Sequence, residues 1–182
     1  MRRWTMLVMG LLLTTRVAAL GAQRIVSVAL GGGVSLPQGD LHSGANTGWH
    51  ALGALVISTP MQPIGLRADV AYSQFPFNAS SEATLGGSGN QTVGSLTLNA
   101  SYRLPTPGSP LSPYVIAGLG AYRTDCSIGS SCTSDTGFGW NAGLGARFYF
   151  LGFRSFLEAR YHATERAETD INYFPVSFGI IF

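Results

Sequence analysis

His162 is the side chain best equipped for chemistry. Glu158 precedes it by four residues and Thr164 follows by two, so a carboxylate, an imidazole and a hydroxyl share one parity on an extended segment. A hydrolytic triad would use the imidazole as base and the acid to orient it, at hydrogen-bond distance. Parity places His162 inside the fold, and a polar interior histidine is the plainer reading. His42 and His50 lie in or beside one long polar connection, and two imidazoles fall short of the ligand set a metal needs. Gly31-Gly32-Gly33 and Gly137-x-Gly139 could suggest a phosphate loop, but such a loop opens a helix and strands follow here. Asp125 and Asp135 flank the cysteine-bearing connection as solvated acids. Cys126 and Cys132, in DCSIGSSC, are the only cysteines and are expected to pair as a disulfide if the chain is exported. No catalytic, cofactor or metal site is expected.

The composition narrows the class. Charged residues make up 11% of 182, against about 25% in an ordinary soluble domain. Gly reaches 24 residues and the mean hydropathy is +0.22. There is no Lys and the Arg residues are scattered, which excludes nucleic acid as a partner. Arg2 and Arg3, the apolar run Met6 to Leu13 and the small residues Ala18, Ala19, Gly21 and Ala22 have the layout of a secretory signal. The expected division is a signal peptide at 1–22 and one domain at 23–182. That domain keeps eight Arg and all nine acids, for a formal charge of −1.

Period-two alternation dominates the rest. Phe174, Val176, Phe178, Ile180 and Phe182 share one face of the last segment. Thr92–Leu104 sets Leu96, Leu98 and Tyr102 against Thr97, Asn99, Ser101 and Arg103. Gly137–Phe150 sets Phe138, Trp140, Leu144, Phe148 and Phe150 against Gly139, Asn141, Gly143, Gly145 and Arg147. Arg24–Leu36, Leu66–Phe75 and Ser155–Ala163 alternate likewise, whereas Trp49–Ser58 and Tyr114–Arg123 have ambiguous parity. These are eight strands. At a tilt near 40°, ten residues rise about 25 Å, the height of an outer-membrane apolar band. The connections alternate long and short, as in a transmembrane barrel whose long loops face outside.

Facing decides between a soluble and a membrane barrel. The bulky face carries Phe, Trp, Leu and Tyr; the other carries Gly, Ser, Thr, Asn and a few charges. An eight-strand interior is narrow, so the bulky face should meet lipid. Trp49, Tyr72, Tyr102, Tyr122, Trp140, Phe148, Phe150 and Phe182 sit near strand ends, as aromatic girdles would. The inward charges are Arg67, Asp69, Arg103, Arg147, Glu158 and Arg160; all but Arg103, near a strand end in water, should form a paired polar core, because charges in a dry interior must be compensated. Folding about Gly152 predicts Arg147 against Glu158, with Arg160 nearby.

The segments GGGVSLPQGDL, SPYVIAGLGAYR and FGWNAGLGARFYF, with the terminal Phe182, resemble the small outer-membrane β-barrel family, of the OmpA-like and OmpX/Ail-like eight-stranded type. The resemblance spans 23–182 and implies an all-β, antiparallel, up-and-down transmembrane barrel in the bacterial outer membrane. It implies contact with outer-membrane lipid, and with periplasmic chaperones and the barrel-assembly machinery during biogenesis. Phe178, Ile180 and Phe182 resemble the C-terminal signal that this machinery reads, although Ser177 stands where that signal usually has Gly. Lipid A deacylases are barrels of this kind with a lipid-facing His-x-Ser, which here is His-Ala-Thr. The family is functionally diverse. The leading expectation is a structural or surface-interaction role, adhesion-like, through extracellular loops meeting an unidentified ligand. The alternatives are a narrow anion-favouring pore, because four Arg but two acids point inward, and a lipid-modifying enzyme.

Overall fold

The computed structural model describes residues 26–58, 62–85, 87–127, 134–165 and 171–182. The expected signal segment, Cys132 and parts of the connections lie outside them.

Eight strands pair in chain order and close into an antiparallel barrel: β1 Val26–Gln38, β2 Gly48–Ser58, β3 Ile64–Pro76, β4 Asn90–Arg103, β5 Ser112–Cys126, β6 Asp135–Phe150, β7 Phe153–Glu165 and β8 Ile171–Ile181. β1 pairs with β8 from Ala29↔Ile181 to Gln38↔Asn172, so no edge is left open. Phe182 adds a last bond by donating its N–H to the Val28 carbonyl (2.8 Å).

Most strands run past the expected limits at the long-loop end. β8 starts at Ile171 rather than Phe174, and β4 at Asn90 rather than Thr92. The ladder there continues above the alternating apolar band, where polar side chains hide it from a hydropathy pattern. Two short helices, absent from the sequence reading, occupy the loops: α1 Asp40–Gly44 and α2 Ala79–Leu85.

The facing is lipid-type. Leu96, Leu98, Leu119, Leu144, Val70 and Leu66 are all more than half exposed, while Ser35, Thr97, Asn141 and Glu158 are buried inside. This follows from the alternation: one face of each strand finds no protein to cover it. Trp49 packs on Tyr72 and Trp140 on Tyr161, each with centroids 5.8 Å apart, towards the loop end. Phe148 and Phe150 pack on Phe178 towards the other end.

The interior is not free of large rings. Phe75, Tyr114, Tyr122, Phe156 and Tyr173 are buried inside. Tyr122, expected in a girdle, points inward because β5 alternates Tyr114, Ile116, Gly118, Gly120, Tyr122 on its inner face. Glycine makes the room: a Cβ on Gly145 would come within 2.6 Å of the Tyr114 ring, and one on Gly139 within 2.9 Å of the Tyr122 ring.

Candidate functional site

Three layers fill the barrel along its axis. The middle one is ionic. β3 alternation puts Arg67 and Asp69 on the inner face, and β7 does the same for Glu158 and Arg160. Arg67 Nε donates to Asp69, and its Nη1 donates to Glu158 Oε2 at 3.0 Å. Arg160 Nε donates to Glu158 Oε1 at 2.7 Å, and its Nη2 lies 2.7 Å from Asp69 Oδ2. Asn99 Nδ2 donates to Asp69 Oδ2 (3.1 Å), and the Tyr114 hydroxyl donates to Glu158 Oε2 (2.7 Å). All four charged side chains are 6% exposed or less. Two cations and two anions therefore neutralise one another where solvation is lost, the condition a buried charge cluster must meet.

Arg147 is not part of this cluster. The connection after β6 is the two-residue turn Leu151-Gly152, which pairs Phe150 with Phe153 and so Gly145 with Glu158 and Arg147 with Phe156. The expected Arg147–Glu158 pair misses by two places. Arg147 instead stacks over the Tyr114 ring, 5.1 Å from its centroid, and that tyrosine's hydroxyl reaches Glu158. The inward excess of cations is confined to one end: the core is balanced, and Arg103, Arg147 and Arg154 gather at the short-turn end.

Above the ionic layer lies an apolar plug. Phe75, Val93, Tyr122, Ile171 and Tyr173 fill the bore, and Leu41 and Ala45 from loop 1 close it, where loops 1, 2 and 3 are the β1–β2, β3–β4 and β5–β6 connections. His162 belongs here. Its Nδ1 is 3.0 Å from the Tyr122 hydroxyl, and its ring stacks on Tyr173 with centroids 4.8 Å apart. Glu158 is engaged by Arg67, Arg160 and Tyr114, while the Thr164 hydroxyl donates to the Ile171 carbonyl (3.0 Å). The three residues that suggested hydrolysis serve separate neighbours, inside the barrel and away from lipid. His50 also lies inside rather than in a loop, its ring nitrogens 3.0 and 2.8 Å from the hydroxyls of Ser35 and Ser177. Among the described residues no three His, Cys, Asp or Glu converge as a metal site would require. Below the ionic layer Ala29, Ala54, Val56, Phe156 and Ile181 form a second apolar cluster.

Outside the bore, loops 1 and 2 are tied together. Ala45 bridges Phe77; Asn46 donates its N–H to the Pro76 carbonyl (2.8 Å), and Asn78 donates its own to the Gly44 carbonyl (3.0 Å). The Asn78 side chain donates from Nδ2 to the Ser43 carbonyl (2.7 Å) and accepts at Oδ1 from the Ser81 N–H (3.0 Å), starting α2. Ser127, at the start of loop 3, exchanges bonds with Asn90. Sequence reading identified these loops as polar but missed the coupling, because it depends on loops brought together only by barrel closure.

Phe178 and Ile180 face outward on β8, and Phe182 follows its end, half exposed. Cys126 closes β5, while its expected partner Cys132 lies outside the described residues.

The sequence over residues 5–182 matches the family of outer membrane protein beta-barrel domains. The chain belongs to that family. It is therefore a bacterial outer-membrane barrel, with its apolar band in contact with membrane lipid and its long loops outside. Among curated proteins none matches the sequence. The fold is similar to the crystal structure of Neisserial surface protein A, at a TM-score of 0.66 and 18% identity, over 86% of this chain and 95% of that one. It is also similar to Ail, the attachment invasion locus protein of Yersinia pestis, solved with the heparin analogue sucrose octasulfate (TM-score 0.51, 16% identity, 86% and 97% covered). A major outer membrane protein of Thermus thermophilus is similar at a TM-score of 0.53 and 9% identity, over 86% and 98%.

Proposed function

We propose that this barrel is a sealed, non-catalytic scaffold that presents loops 1 and 2 as one platform for a surface interaction outside the cell. The observation that carries this reading is the hydrogen-bonding between the loops, above all through the Asn78 side chain, which reaches across to Ser43 while also holding Ser81 of its own loop. A platform ordered before binding loses less conformational entropy on contact than a free loop does. Nothing about a bore filled at three heights calls for such ordering, whereas recognition does.

The chemistry of the platform indicates its ligand class. The described residues of loops 1 and 2 offer Ser, Asn and Thr groups with Asp40 and Glu82, and no Arg. The Ail structure carries a polysulfated ligand. An acid-bearing platform whose one basic side chain among the described residues is His42 disfavours such a polyanion and suits a neutral, hydroxyl-rich ligand such as an uncharged glycan.

Bacteria displaying the chain would be tested on immobilised neutral glycans and on heparin, beside the variant Asn78→Ala. Retention on a neutral glycan, weakened several-fold by Asn78→Ala and accompanied by faster proteolytic nicking in loop 2, is the expected result. Retention on heparin alone, or binding indifferent to Asn78, overturns the reading. Further proposals concern maturation. Cys126 and Cys132 pair after export, so a thiol-alkylating reagent should add mass only after reduction. Residues 1–22 are removed, so N-terminal sequencing of the membrane form should begin at Gln23. Phe178, Ile180 and Phe182 are read by the assembly machinery with periplasmic chaperones, and truncation of Phe182 should lower the folded fraction in the membrane.

A further inference from the structure

The short-turn end of the barrel opens into a cavity of about 320 Å³. Arg103 from β4, Arg147 from β6 and Arg154 from β7 all line it, with the Ser27, Ser58 and Ser112 side chains between them. No Asp or Glu is among its lining residues. The imbalance is not local chance. The described residues of the connections at this end, 62–63, 104–111 and 151–152, contain no Asp or Glu. Apart from Asp69 and Glu158, every Asp and Glu falls at position 40, 82, 125 or 135 or within 165–170, in or beside the connections at the opposite end.

Three guanidiniums around one cavity repel one another. Arg147 is partly offset by the Tyr114 ring, and Arg154 donates to the Ser27 hydroxyl at 3.1 Å. Neither partner carries a charge. The ionic layer further in is already balanced and has no spare anion to offer Arg147 or Arg154. Guanidinium forks pair with phosphate through two parallel N–H···O bonds, and the tetrahedral arrangement of its oxygens lets more than one fork approach the same group.

We propose that the periplasmic mouth of this barrel is a binding site for a phosphate group, held by Arg103, Arg147 and Arg154 with the neighbouring serine hydroxyls. The same chemistry is offered by soluble phosphate compounds of the periplasm and by anionic phospholipid headgroups of the inner leaflet.

The folded chain in a maltoside detergent, which contains no phosphate, would be titrated with inorganic phosphate in a calorimeter. One saturable site per barrel is expected. Arg103→Gln and Arg154→Gln should each weaken it tenfold or more, whereas Arg123→Gln, at the other end and paired with Asp125, should leave it unchanged. The heat-dependent gel shift of each variant reports that it has folded, and Arg154, at the rim, is the substitution least able to disturb the core. Repeating the titration with phosphatidylglycerol added to the micelles separates the sources. Competition supports the headgroup as occupant; an unchanged isotherm supports a soluble phosphate. No saturable binding by the wild type, or binding that survives both Arg103→Gln and Arg154→Gln, overturns the proposal.

Discussion

Glu158 accepts from two arginines and a tyrosine while being 1% exposed, so its loss cannot be repaired by water. Glu158→Gln would leave Arg67 and Arg160 sharing Asp69 alone. Removing one partner of a buried ionic cluster costs about 3–5 kcal/mol. The expected outcome is a markedly lower urea midpoint of the refolded barrel, read by the unheated gel band. Arg147→Gln loses a stacking contact of about 0.5–2 kcal/mol at a partly open site and should be milder. Equal midpoints for the two variants would contradict this pairing. The contrast also shows what was legible in the residues. Alternation along β3 and β7 assigns Arg67, Asp69, Glu158 and Arg160 to inner faces without reference to the partner strand. The choice of partner did not follow, because it depends on a turn geometry that shifts the opposing strand by whole residues.

That turn is the instructive case at the scale of elements. Leu151 and Gly152 both have positive φ, 49° and 83°, as a two-residue hairpin with the twist of its strands requires. Glycine adopts this backbone freely; leucine does not, and Leu151 is 81% exposed, so little packing compensates it. Leu151→Asn should stabilise the barrel by about 0.4–1 kcal/mol, since asparagine tolerates the left-handed region. Urea unfolding would show a raised midpoint, and an unchanged or lowered one would mean that the leucine side chain contributes at the membrane rim. Strands with a polar inner face were readable by their period, and β2 was not. Its inward residues Leu52, Ala54 and Val56 belong to the lower apolar cluster, so both of its faces are apolar and the alternation signal vanishes. The loop helices were invisible for a different reason. Each is short, and loop 1 is fixed by Leu41 dropping into the plug, a contact made only once the barrel has closed.

For the whole molecule, the arrangement of layers decides whether the barrel conducts. An anion-favouring pore would need a continuous wet path lined by an excess of arginines. The excess lies at the periplasmic mouth, below a layer in which two cations meet two anions. Beside that layer the bore leaves a cavity of only about 30 Å³. Further out, Phe75, Tyr122 and Tyr173 are buried against one another and against His162. These are two seals at different heights, one electrostatic and one steric, so opening either alone leaves the other in place. The chain reconstituted in a planar bilayer should therefore show no unitary current steps, and Tyr173→Ala, which thins only the aromatic plug, should stay silent as well. Current would be expected only when Tyr173→Ala is combined with a substitution that dismantles the ionic layer, such as Glu158→Gln. Steps in the wild type, of either ion preference, would mean that the layers move apart in the membrane. The molecule would then have to be understood as a gate rather than as a closed support for its loops.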